Sequence, residues 1–213
     1  MLKDVLKQFI VTEIEKLQKN QQKGGIVEIY KEEKDYIERH QIIDDNLRET
    51  FTFKEKKPIT RFDDAYIERG IKETEEVIDT ETSSFLTRPV KYLKEHMDEF
   101  IYIETKWLEL IGVDAISLEV DDVFKTYDAL LGLKLQKKHE KVIRNYLIKE
   151  SVCKDVSFDL IYNQKDGMWD LNVSLECLQG FIEEITLGEA MCIIYRFLFK
   201  LVETVEEEKM STR

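Results

Sequence analysis

Proline and glycine are scarce in this chain, with 2 and 8 among 213 residues. An all-β sandwich that turns back every 8 to 12 residues or so needs more turn formers than that, so helix is expected to dominate. Long apolar runs are also missing. The longest, Ala190-Met191-Cys192-Ile193-Ile194-Tyr195, falls far below the roughly 18 residues of a membrane span. Met1-Leu2-Lys3-Asp4 opens an amphipathic segment without a signal-peptide core, so a soluble cytoplasmic protein with no membrane partner is expected. Cysteine is limited to Cys153, Cys177 and Cys192, an odd set without CxxC or Cys/His spacing in apolar surroundings. Buried thiols are therefore expected instead of a disulfide or a zinc site. Basic charge is outnumbered, 32 Lys and Arg against 44 Asp and Glu, for a net charge of -12. That balance weakens attraction to phosphate backbones and anionic lipid.

Hydrophobic residues make up 43% of the chain, enough for a sizeable core. Leu2, Val5, Leu6, Phe9, Ile10, Ile14 and Leu17 recur at three- and four-residue steps, which predicts a helix that stops at Lys23-Gly24-Gly25. Ile26 to Tyr30 reads as a strand, KEEKDYIERHQ as a helix, and LRETFTF (47–53) as a strand by its alternation. Asp63 or Asp64 can cap a helix running to about Ile78, and Thr80 to Ser84 reads as a linker. From Pro89 an apolar stripe predicts a long helix to Gly112. Residues 114–122 alternate as a strand, Val123 to Leu131 look helical, and a further helix is expected over 134–149.

The clearest local signal is FDLIYNQKDGMWDLNVSLEC (158–177). Asp166-Gly167 supplies a turn between two alternating runs, which predicts a hairpin with Trp169, Leu171, Val173 and Leu175 on the core face. Asp170 and Asn172 then share the opposite face, where architecture is favoured over ligand binding. Thr186-Leu187-Gly188-Glu189 is a capping box that starts a broadly apolar helix to about Val205. So broad an apolar surface calls for cover by the rest of the monomer or by a second copy. Glu206-Glu207-Glu208 reads as a frayed acidic tail.

Among candidate sites, Glu73-x-x-Glu76 and Glu119-x-x-Asp122 have the spacing that lets two carboxylates on neighbouring helices share a magnesium ion, as in all-α nucleotide pyrophosphohydrolases. The strand pattern over 114–122 disfavours that helical geometry. His40, His96 and His139 sit in charged runs and are expected on the surface. No P-loop, GxGxxG, GxSxG or HExxH is present, so no cofactor is expected. Lys134, Lys137, Lys138, Lys141, Arg144 and Lys149 give one helix a basic face, which is expected to pair with neighbouring acids more than to contact nucleic acid.

Over RFDDAYIERGIKETEEVI (61–78), LEVDDVFKTYDALLGLKLQKKHEKVI (118–143), DGMWDLN (166–172) and LGEAMCIIYRFLFKLVE (187–203) the chain resembles an uncharacterised family of cytoplasmic proteins from Gram-positive bacteria. The resemblance spans most of the length and brings no known activity. It extends to relatives labelled branched-chain aminotransferase, a label not transferred here: the chain is short for that enzyme, and no lysine has the context of a pyridoxal phosphate attachment site.

Together these features predict an α+β, helix-rich single domain over 1–213, with subdivision near 80–84 or 150–156. Its small antiparallel sheet contains the 158–175 hairpin, packed on the 186–205 helix. The functional expectation is a non-catalytic bacterial protein acting through contacts with a protein partner or with itself as a homodimer. The alternatives are a magnesium-dependent nucleotide pyrophosphohydrolase-like enzyme using Glu73, Glu76, Glu119 and Asp122, and nucleic-acid contact through the 134–149 helix.

Overall fold

The computed structural model describes residues 2–19, 25–153 and 158–211. The expected stop at Lys23-Gly24 and part of the 150–156 boundary lie outside them. The chain forms two compact units, Met1–Arg61 and Phe62–Arg213.

The first unit holds α1 (Leu2–Lys19), β1 (Ile26–Ile29), α2 (Lys31–Arg39), α3 (Asp45–Thr50) and β2 (Thr52–Glu55). On α1 the buried residues are Leu2, Leu6, Ile10 and Ile14, one per turn, while Val5 is exposed. β1 and β2 pair in parallel, Val27 opposite Phe53, so the chain returns through α2 and α3. Where a strand over 47–53 was expected, Asp44 accepts a bond from the Leu47 amide at 2.9 Å and starts α3, and the strand begins only at Thr52. Arg61 is buried and bonds Glu33 at 2.5 Å and Glu32 at 2.6 Å, with its guanidinium 4.1 Å from the Tyr30 ring centre. A buried charge persists only with such partners.

The second unit is built on a seven-stranded sheet in the order β4-β3-β5-β6-β7-β9-β8. Its elements are β3 (Tyr66–Ile71), β4 (Val77–Glu81), α4 (Tyr92–Glu95), β5 (Glu99–Glu104), α5 (Lys106–Leu110), β6 (Val113–Val120), β7 (Tyr127–Leu133), α6 (Glu140–Glu150), β8 (Phe158–Asn163), β9 (Met168–Ser174) and α7 (Leu187–Ser211). Every pairing in this sheet is antiparallel. The fold is α+β, but the sheet is large, and this overturns the expected small sheet in a helix-rich domain. The backbone of α7 runs mainly against α6 and the 83–87 turn instead of the 158–175 hairpin as expected, although the Phe197 side chain reaches a small apolar space beside Phe158 and Val173. The Tyr146 hydroxyl donates to the Phe197 carbonyl at 2.8 Å, and Lys200 meets Glu150 at 2.9 Å. The capping box is present: the Glu189 amide donates to the Thr186 hydroxyl, and the Thr186 amide donates to the Glu189 carboxylate at 2.8 Å. The tail expected to fray belongs to α7, where Glu203, Val205 and Glu206 are buried.

Three segments expected as continuous helices each contain a strand of the sheet; in 89–112 the strand β5 separates the short helices α4 and α5. In 63–78, β3 carries Arg69 on its core-facing side, so a charged residue breaks the alternation that would have marked it. Arg69 is matched there by Glu81 at 2.8 Å and Glu99 at 3.1 Å. In 89–112, β5 has apolar or aromatic residues on both faces, with Ile101 and Ile103 buried in the core and Phe100 and Tyr102 opposite. In 123–131, β7 places Tyr127, Ala129, Leu131 and Leu133 inward while Leu130 and Gly132 lie outward. Apolar residues on both faces imitate helical spacing.

The hairpin is as expected in its alternation: Trp169 is 1% exposed, stands opposite Leu133 and packs edge-on against Tyr162. The cysteine expectation is corrected. Cys153 and Cys177 form a disulfide, and Cys192 keeps its thiol, half-buried on α7. Their separation of 24 residues spans the whole hairpin, so only folding brings them together.

Candidate functional site on the outer face of the sheet

Strand alternation sends every second side chain to the face of the sheet away from the core, and the register decides which of them meet. On this face Glu119 of β6 stands directly opposite Asp128 of β7, and Asp128 opposite Ser174 of β9. One step along, Tyr102, Ser117, Leu130, Asn172 and Asp159 form the next row across five strands. Gly132, Asp170 and Ile161 form the row beyond.

The second and third rows line an open groove of about 520 Å³. Its lining includes Asp114, Asp159 and Asp170 together with the apolar Ala115, Leu130 and Met168, and Asp114 is paired with Lys134. Two glycines shape the face. The Met168 sulfur lies 2.8 Å from where a Cβ of residue 132 would sit, and the Phe100 ring lies across Gly70, 2.4 Å from such a position. Both side chains lie flat along the sheet because these strands have nothing to push them away.

The electrostatics are strongly negative. Burial raises the Glu119 carboxyl above the usual carboxylate range; Lys72 works against the shift, and Asp122, Asp128 and Asp121 add to it. Burial also raises Asp128, 8% exposed, with Asp121 and Glu176 adding to the shift, while bonds from Thr126 and Asn172 oppose it. The Thr126 hydroxyl donates to Asp128 at 3.0 Å. Asn172 has a buried Oδ1 with no hydrogen-bond partner. Charged groups held out of water with like charges nearby take up protons more readily, the condition in which a carboxyl can serve as an acid at ordinary pH.

The expected site residues are scattered. Glu73 lies in the turn between β3 and β4, Glu76 immediately precedes β4, and Glu119 and Asp122 lie at the end of β6 and in the turn after it. No helical face presents either carboxylate pair. Lys72 donates to Asp122 at 2.7 Å and holds that carboxyl below the usual range. The basic helix expected over 134–149 begins only at Glu140: Lys134 lies just after β7 and pairs with Asp114, while on α6 Arg144 pairs with Glu140 and Lys149 with Glu150. His96 stacks on Tyr92, and burial lowers His139. Sequence reasoning named Glu119, Asp170 and Asn172 but missed Asp128, whose only local signal was an acid inside an apolar run.

No protein-family model, curated protein or solved structure matches the chain. The expectation of a non-catalytic protein working through protein contacts is corrected by the outer face itself. Cohesion alone does not require a groove lined by three aspartates, beside two carboxyls whose pKa values burial raises, on a sheet whose other face already supplies the core. Among the described residues no helix is long and apolar enough to cross a membrane.

Proposed function

We propose that the protein is an enzyme using clustered carboxylates on the outer face of its sheet, with Glu119 and Asp128 as an acid–base pair and the adjoining groove as the seat of a small cationic substrate. The observation that carries this reading is the direct opposition of Glu119 and Asp128, two carboxyls whose pKa values burial raises, in the row next to a groove lined by three aspartates. Two carboxyls in such surroundings divide the work: one holds a proton to give, the other is charged and can receive. The aspartates of the lining repel phosphate and draw in an ammonium or guanidinium group, and its apolar residues accept a hydrocarbon body. A volume of about 520 Å³ suits a small molecule.

The test is a thermal-shift screen of linear diamines, guanidinium compounds and nucleotides with and without magnesium, run on the wild type, Glu119→Gln and Asp128→Asn. Stabilisation by a cationic compound, weakened tenfold or more in apparent affinity in both variants, is expected. A panel without any cationic hit, or hits indifferent to both substitutions, overturns the reading. We place the protein in the bacterial cytoplasm, in line with the family resemblance, and that placement sets the disulfide in a thiol-rich pool.

A further inference from the structure

We propose that the Cys153–Cys177 disulfide is a reversible redox tie around the β8–β9 hairpin, so that its opening loosens the outer strand of the sheet. The pair joins the segment just after α6 to the turn just after β9, and so closes a loop around the β8–β9 hairpin. β8 stands at the end of the strand order and has a strand neighbour on one side only, β9. Among the described residues beside the tie, the Val152 amide donates to the Cys177 carbonyl at 3.0 Å and the Cys153 amide to the Ser151 hydroxyl at 3.2 Å, while Arg144 donates to the Leu160 carbonyl of β8 at 2.9 Å. Leu147, Phe158, Val173, Cys177 and Phe197 converge beside the tie, which therefore sits where α6, α7 and the hairpin meet. The covalent bond fixes Cys153 against the turn after β9 across a sequence separation of 24 residues. Cys153 is half-buried and Cys177 buried, so an incoming thiolate reaches the Cys153 sulfur first.

The reaction balances with a dithiol reductant. One reductant thiolate attacks Sγ of Cys153, the S–S bond breaks, and Cys177 leaves as a thiolate that takes a proton. The second reductant thiol then displaces Cys153 from the mixed disulfide. The reductant ends as a disulfide, and the protein gains two electrons and two protons as two thiols. β8 carries Asp159 and Ile161 of the groove lining, so loosening it would also act on the proposed site. The tie itself does not depend on that reading.

The test is hydrogen exchange read by mass spectrometry on the full chain, oxidised and then equilibrated with glutathione at a cytosolic ratio and with dithiothreitol. Intact mass reports the gain of two hydrogens. Reduction in both reagents is expected, with exchange over 151–163 on the order of tenfold faster or more and exchange in β5, β6 and β7 unchanged. The Cys153→Ser/Cys177→Ser variant should match the reduced chain, and a Cys192→Ser background excludes exchange with the third thiol. A pair that stays oxidised in glutathione, unaltered exchange over 151–163 after reduction, or uniform acceleration through all strands each overturns the proposal. None of these readings involves a ligand, so a failed ligand screen leaves this result interpretable.

Discussion

Replacing Arg69 by Met should destabilise the second unit by about 3 kcal/mol, because the side chain neutralises a carboxylate that water barely reaches. Glu99 is 9% exposed, on the core-facing side of β5 beside Ile101. It accepts from Arg69 at 3.1 Å and from the Tyr92 hydroxyl at 2.8 Å. Without Arg69 it keeps one neutral donor, and an ion pair broken from one side in a buried setting costs about 3–5 kcal/mol. The low end applies because Arg69 is itself 18% exposed, and its second partner Glu81 is more accessible still, worth under about 1 kcal/mol. Methionine retains much of the aliphatic stem over Phe85, so the loss reports charge more than packing. For a unit of this size about 3 kcal/mol lowers the melting temperature by roughly 6–12 °C. Calorimetry on the wild type, Arg69→Met and Arg69→Met/Glu99→Gln checks the argument. The double variant removes the stranded charge while keeping an acceptor for Tyr92, and it should recover at least a third of the loss. A single variant within about 1 kcal/mol of wild type, or a double variant no better than the single, refutes it.

Gly70→Ala sets a Cβ 2.4 Å from Phe100 Cζ, so the ring must leave its place over β3; a loss of about 1–3 kcal/mol in urea unfolding is expected, largely relieved by adding Phe100→Ala. Asp128→Asn removes a carboxyl whose folded pKa is raised. Such a group favours the fold below its unfolded pKa and loses that contribution as pH rises through the folded value. The variant should therefore gain on the wild type in melting temperature between pH 4 and pH 8, roughly, while a difference independent of pH would count against the burial assigned to Asp128. Thr186→Ala should cost about 1 kcal/mol through the loss of the α7 cap. The Thr186 amide and hydroxyl hold Glu189 below its ordinary pKa, so that carboxylate contributes above the ordinary value and less as pH falls beneath it. Glu189→Gln should flatten the acid limb of the stability curve, measured by chemical denaturation across pH.

Features written in a few consecutive residues were legible before any coordinates. The one-per-turn stripe of α1, the Asp166-Gly167 turn with Trp169 facing inward, and the Thr186–Glu189 box all depend on local period or local hydrogen bonding. β3, β5 and β7 were misread because a strand in the middle of a wide sheet answers to its neighbours. Arg69 can face inward only because Glu81 and Glu99 come from other strands, and Leu130 can face outward because a groove receives it. The candidate site lay on the same boundary: Glu119 and Asp170 were visible as acids, but nothing along the chain says that Asp128 stands opposite Glu119.

By itself, then, the sequence determined where the last hairpin turns, where α7 begins and which side of that hairpin seeks the core, since these are decided within one or two turns of backbone. Only the tertiary structure decided the seven-strand order, the meeting of Cys153 with Cys177 and the opposition of two carboxyls. Each of those joins residues separated by a loop whose closure has a free-energy cost that no local pattern records.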